Sequence, residues 1–172
     1  MKKKCLNFGC GNNMRETNRT EEWDNCDIQK EAPISFDFNK FPYSKLKDNY
    51  YDYVIIEVVL ENLHEPTDAL YEVHKKCKEG AIIEIFTPFW NNKGAWSDPH
   101  VKRGFNEMYF EIIADQRDCY FIEGKPKFEI EELELTPTQE IGRFVPKWFR
   151  EKLSTFIGGL IMHIHVKYEV IK

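Results

Sequence analysis

Residues 52–60, DYVIIEVVL, constrain this chain's fold more than any other stretch. Aliphatic, mostly β-branched side chains fill nearly every position, which is too dense for a strand with one wet face. The run predicts a central strand of a mainly parallel sheet, covered on both faces. Parallel strands need crossover connections, and the residues that follow supply one. Pro66 is placed to open a helix, and residues 68–78 carry Leu70, Val73 and Cys77 on one stripe. Gly80 stands where that helix would end, as a C-cap. Residues 81–86, AIIEIF, form the next strand, stopped by Pro88.

The flanking sequence extends the pattern. Cys5-Leu6-Asn7-Phe8 is a short buried strand that runs into a tight turn at Gly9-Cys10-Gly11. Residues 12–22 are polar and support at most a short helix. Residues 23–28 form a second strand with Asp27 near its end, and residues 34–38 a third. Residues 88–106 make a long loop rich in Asn, Gly, Pro and Trp, a length that often carries function. A helix over 107–115, an alternating strand over 128–135, a helix within 144–162 and a final strand over 163–171 complete the chain. Buried strands early and half-exposed strands late predict a mixed α/β sheet with antiparallel strands at one edge. There is no internal repeat or linker, so residues 1–172 are expected to form a single domain.

Charge and cysteine usage narrow the function classes. The net charge of −5 argues against nucleic acid as a partner. The run Lys2-Lys3-Lys4 solvates the start of the first strand. Five cysteines with no CxxC pair predict neither disulfides nor zinc, and a cytoplasmic setting fits. His74 with Cys77, and His163 with His165, lack a four-ligand context, so no metal is expected. No signal peptide or membrane-spanning run is visible. The apolar stretch from Trp148 to Met162 is expected to pack as core across the sheet edge. A membrane-surface contact or a dimer face is the less favoured reading.

The glycine turn carries the chemistry. Gly9 and Gly11 let a ligand approach the backbone closely, and an acid ending the next strand can accept both ribose hydroxyls. An NAD fingerprint needs a small residue three positions after Gly11, where Met14 stands. An NAD-binding oxidoreductase therefore fits less well.

Taken in order, LNFGCGN (6–12), Cys26-Asp27-Ile28, Phe36-Asp37-Phe38, DYVIIEVVLENL (52–63), Lys78-Glu79-Gly80 before AIIEIFTP (81–88), and DPHVKR (98–103) resemble the class I S-adenosylmethionine-dependent methyltransferases, in their methyltransferase type 11-like group. The resemblance implies a Rossmann-like seven-stranded sheet of order 3-2-1-4-5-7-6. It implies S-adenosylmethionine as cofactor and a small-molecule acceptor left unidentified. Gly9 and Gly11 would border the methionine part, Asp27 would hold the ribose hydroxyls, and Asp37 would meet the adenine amine with Phe38 against the ring. Glu57 would lie near the methionine end. The sequence departs from the family at Leu60-Glu61-Asn62, where a histidine often follows the glutamate, and at Glu79-Gly80-Ala81, where Pro-Gly-Gly is usual. No helix corresponds to the one that often precedes the first strand, so the loop 88–106 is left as the acceptor wall.

In that loop His100 is the candidate base, because its ring titrates nearest neutral pH. Asp98, Glu61 and His64 are its alternatives. Trp96, Asp98 and Arg103 are candidate acceptor contacts, and Trp90 a candidate wall. A catalytically silent cofactor-binding partner subunit is the rival reading from another class.

Overall fold

The computed structural model describes residues 2–115, 126–139 and 141–172. Seven strands form one sheet: β1 (Lys3–Phe8), β2 (Glu21–Asp27), β3 (Ile34–Ser35), β4 (Tyr51–Glu57), β5 (Cys77–Pro88), β6 (Lys127–Pro137) and β7 (Ile161–Ile171). The order is β3-β2-β1-β4-β5-β7-β6, as the resemblance implies. The first five strands pair in parallel, and β7 runs antiparallel to both β5 and β6. Among the described residues three α-helices accompany them: α1 (Pro66–Lys76), α2 (Glu107–Asp115) and α3 (Lys147–Leu153). Among the described residues, no helix is long and apolar enough to cross a membrane.

The expectation of burial on both faces holds only at the centre of β4, where Val54, Ile55 and Ile56 are all buried. Along β5 the side chains alternate between full and partial burial. One face carries Leu6, Phe8, Val54, Ile56, Ile83, Ile85, Val166 and Tyr168, all buried. Helices α1 and α2 pack there: the Tyr168 hydroxyl donates to the Phe110 carbonyl, and Tyr71 and His74 meet the Phe128 ring. The opposite face carries half-exposed Trp23, Tyr53, Glu84, Phe86 and His165. Polar pairing holds it together. The Tyr53 hydroxyl bonds Glu84, His165 lies 2.7 Å from the same carboxylate, and Lys167 pairs with Glu132. Glu132, Glu134 and His165 bring ligand atoms within 4.8 Å of one another, but Lys167 and Glu84 already engage two of the three.

Several local expectations also change. Between β1 and β2, where at most a short helix is expected, none forms. Residues 12–20 instead run as a loop held by a buried Asn pair. Asn7 Nδ2 donates to Asn25 Oδ1 and to the Asn13 carbonyl, and Asn25 exchanges bonds with the backbone of Arg15. The third strand keeps only Ile34–Ser35, because Phe36 and Phe38 leave the ladder to pack on Phe8. Strand β4 stops at Glu57, since Val58 takes φ +56°. Gly80 is no helix cap. Cys77 caps α1, and Gly80, at φ +70°, sits where the β4–β5 register shifts within β5. The C-terminal run is no buried helix either: α3 spans seven residues and buries none of them.

Candidate functional site

Three parallel strands, β1, β2 and β4, end at the rim of a cleft of about 630 Å³. Gly9, Gly11, Asp27 and Phe38 line it, with Ile28, Gln29, Asn39, Val58, Val59, Asn62, Leu63, His64, Asp98, His100 and Lys102. Position follows from topology, because ligands of open α/β sheets sit beyond the carboxyl ends of the strands.

The two glycines do different jobs. Gly9 has φ +83°, and a Cβ there would stand 2.2 Å from Val59 Cγ2. Its N–H and that of Cys10 both donate to the Cys26 carbonyl, at 2.9 and 3.0 Å, which locks the turn onto β2. A Cβ on Gly11 would meet nothing within 4 Å, so Gly11 faces open space. The Gly11 N–H donates to Asp27 Oδ2 at 2.8 Å, and the Gln29 N–H to Oδ1 at 3.0 Å. Each carboxylate oxygen thus has one backbone donor and one free lone-pair direction. That geometry suits two vicinal hydroxyls.

Two residues expected at the cofactor, Asp37 and Glu57, do not line this cleft. Asp37 is not among the lining residues. Its carboxylate accepts from the Asn39 N–H at 3.0 Å, a bond that holds the carboxyl below its usual range, and Lys40 stands 3.5 Å away. Glu57 falls on the half-exposed sheet face, one position out of phase with buried Ile56, and pairs with Arg15 at 3.4 Å.

The far wall comes from the loop after β5. The His100 backbone N–H donates to Asp98 Oδ1, and Nδ1 lies 2.8 Å from the same oxygen. Those two bonds hold the Asp98 carboxyl below its ordinary value. A carboxylate only accepts, so Nδ1 is the donor in this contact, and Nε2 is the nitrogen left to take a proton whenever the ring is neutral. Arg103 is not itself among the lining residues, but its guanidinium donates to the carbonyl of His64, which is. Trp90 and Trp96 wall a second cavity instead, of about 560 Å³, with Lys93, Ile141 and Gly158. The Trp96 indole N–H, donating to the Trp90 carbonyl at 2.8 Å, pins the pair there.

Glu61 lies beneath this loop at 2% exposure. Its carbonyl accepts from the N–H groups of Lys102 and Arg103, which ties the loop to the end of β4. Thr87 donates to Oε2 at 3.2 Å, while Oε1 is buried with no partner among the described residues. Burial pushes the carboxyl above its usual range. The folded protein therefore holds this proton more tightly than the unfolded chain, and the contribution is lost as pH rises through the raised value. Glu61→Gln should match the parent's thermal midpoint near pH ~4 and exceed it above pH ~7. Melting curves at both pH values check this. Equal midpoints throughout would contradict it.

No protein-family model matches the chain, and no curated protein matches it by sequence. Solved structures do. A methyltransferase from Archaeoglobus fulgidus, described as S-adenosylmethionine-dependent, superposes with TM-score 0.63 at 18% identity, over 98% of this chain and 86% of its own. A second such enzyme, from Mesorhizobium loti, gives 0.62 at 12% identity, over 98% and 91%. The cyclase SpnF gives 0.65 at 14% identity, over 99% and 75%. This chain has the class I methyltransferase fold.

The methyltransferase fold accounts for the cleft's place but not for its reaction, since a cyclase shares it. Most cleft residues outside the glycine turn carry weak sequence signals. Ile28 was marked only as the neighbour of Asp27, and it is exposed at the cleft edge. Asn39, Leu63 and Lys102 sit in turns whose direction no periodicity reveals. In this variant of the methyltransferase fold the glycine turn leads into a loop rather than a helix.

Proposed function

We propose that this protein is an S-adenosylmethionine-dependent methyltransferase acting on a small-molecule acceptor. The observation that carries this reading is the Asp27 carboxylate, fixed by Gly11 and Gln29 in the same cleft that holds the Asp98–His100 pair. The cofactor would supply a methyl group on a sulfonium, already bound to an excellent leaving group. The chain's task is then to align and to dry the reacting atoms.

Each residue's proposed part follows from its position. Asp27 holds the ribose diol. Gly11 leaves space for the methionine portion, and Gly9 keeps the turn tight against Val59. Ile28, Phe38 and Leu63 offer apolar surface to the adenine ring. Asp37 stays next to the Phe38 backbone, where it would meet the amine only from the cleft rim. His100 takes a proton from the acceptor through Nε2 where the acceptor must lose one, and Asp98 orients the ring. The cleft volume lies in the usual range for small-molecule sites, and the acidic balance disfavours a polyanionic acceptor. Four cysteines, Cys5, Cys10, Cys26 and Cys77, are free and buried, which suits a reducing cytoplasm.

Asp27 is the residue to test. Asp27→Ala should weaken S-adenosylmethionine binding by about 1–3 kcal/mol, the cost of leaving the diol and the Gly11 and Gln29 donors unmet. Equilibrium dialysis with labelled cofactor measures this, with circular dichroism to show that the variant folds. Unchanged affinity in a folded variant would remove Asp27 from the cofactor site and undercut the reading.

A further inference from the structure

We propose that residues 141–157, with Trp90 and Trp96 of the loop after β5, seat this protein on the surface of an anionic lipid bilayer. The segment's apolar residues are displayed rather than packed. Phe156 is 86% exposed, Phe144 71% and Trp148 67%, and Ile141 and Ile157 are exposed beside them. Helix α3 buries none of its residues. Trp148 and Phe149 meet with ring centres 5.4 Å apart, and so many exposed large apolar side chains in one short segment are unfavourable in water and mark a contact.

The display is held in place by polar bonds, so it is a built feature of the fold. Asn91 Nδ2 donates to the Ser154 carbonyl at 2.7 Å, and the Gly159 N–H to the Asn91 carbonyl at 3.0 Å. The Thr138 hydroxyl donates to the Gly159 carbonyl at 2.7 Å. These bonds also join the segment to the loop that carries Trp90 and Trp96, and the cavity of about 560 Å³ lies between the two.

Charge selects the occupant. Within 141–157 stand Arg143, Lys147, Arg150 and Lys152 against the one carboxylate Glu151, in a chain whose net charge is −5. The cations alternate with aromatic residues, and the Arg143 guanidinium lies 4.6 Å from the Phe144 ring centre. Cores of protein–protein contacts are depleted in lysine, whereas a bilayer interface takes aromatic rings at headgroup depth and cations on its phosphates. With no helix fit to span, among the described residues, the segment would lie on the surface. This inference does not depend on the cofactor reading.

Flotation of the whole protein with vesicles tests it. Phosphatidylcholine vesicles containing phosphatidylglycerol should carry the protein upward at low salt, and pure phosphatidylcholine should carry far less. Raising the salt should weaken the binding. Lys147→Glu with Lys152→Glu should lower partitioning by about tenfold or more. Trp148→Ser with Phe156→Ser should abolish it, and both variants should keep the parent's circular dichroism because the altered side chains are exposed. Failure of the folded parent to float with anionic vesicles at low salt would overturn the proposal. So would a parent dimer that the Trp148→Ser, Phe156→Ser variant disperses while vesicles are ignored, since the face would then join two copies of this chain.

Discussion

Gly9→Ala should cost about 2–5 kcal/mol of stability, the sum of a left-handed backbone strain and an overpacked side chain. Both terms are local. Gly9 needs φ +83°, and its new methyl would fall 2.2 Å from Val59 Cγ2. Val59 has little room to yield. It is buried, it follows Val58 at φ +56°, and it precedes buried Leu60 in the turn that closes β4. Gly11→Ala is the control, with φ +46° and nothing within 4 Å of a Cβ. It should cost about 1–2 kcal/mol from backbone strain alone and should weaken the cofactor by narrowing the cleft. Urea unfolding of the three proteins separates the cases. Adding Val59→Ala to Gly9→Ala should restore the clash part only. A Gly9→Ala protein as stable as the parent would mean the turn is not wedged as described.

His100→Ala should lower methyl transfer by about 10²–10⁴-fold for an acceptor that must shed a proton, with cofactor affinity unchanged. The ring and its Asp98 partner are exposed, so truncation should not disturb folding. Asp98→Asn should give a smaller loss, because it disturbs ring orientation and tautomer but leaves the imidazole. Single-turnover rates across pH measure the effect once an acceptor is in hand. Turnover equal to the parent's would show that alignment alone carries the reaction.

The sheet was readable because its strongest strands, residues 52–57 and 81–86, are dense in β-branched and aliphatic side chains. That same density overstated how far along the sheet both faces are covered. Ile55 is buried, but Tyr53 and Glu57 on the same face are half-exposed. A sequence pattern records that a residue is apolar, not which side chains come to lie across it. The stretch from Trp148 to Met162 failed for the converse reason. Its apolar run is real, but α3 buries none of its residues, and burial in this stretch returns only at Ser154, Leu160 and Ile161. Gly80 reads equally well as a helix cap or a strand bulge, and only the shift from Tyr51↔Cys77 to Tyr53↔Ile82 decides.

In the site, the residues at the ends of paired strands were placed by register and converge on one cleft: Gly9, Gly11, Asp27 and, just beyond β3, Phe38. Asp37 and Glu57 do not line it: Asp37 lies beyond a third strand that ends at Ser35, and Glu57 falls by strand phase on the half-exposed face of β4. The loop after β5 was expected to face the cleft as a whole. It divides instead, giving Asp98, His100 and Lys102 to the cleft and the tryptophans to the second cavity.

The central claim is that the cleft bordered by Gly11 and Asp27 takes S-adenosylmethionine. Isothermal titration of the parent protein with S-adenosylmethionine, its demethylated product and NAD tests it in one set of runs. The first two should bind at one site with Kd in the ~micromolar range, and NAD should give no heat. Heat with NAD, and none with either adenosyl compound, would contradict it.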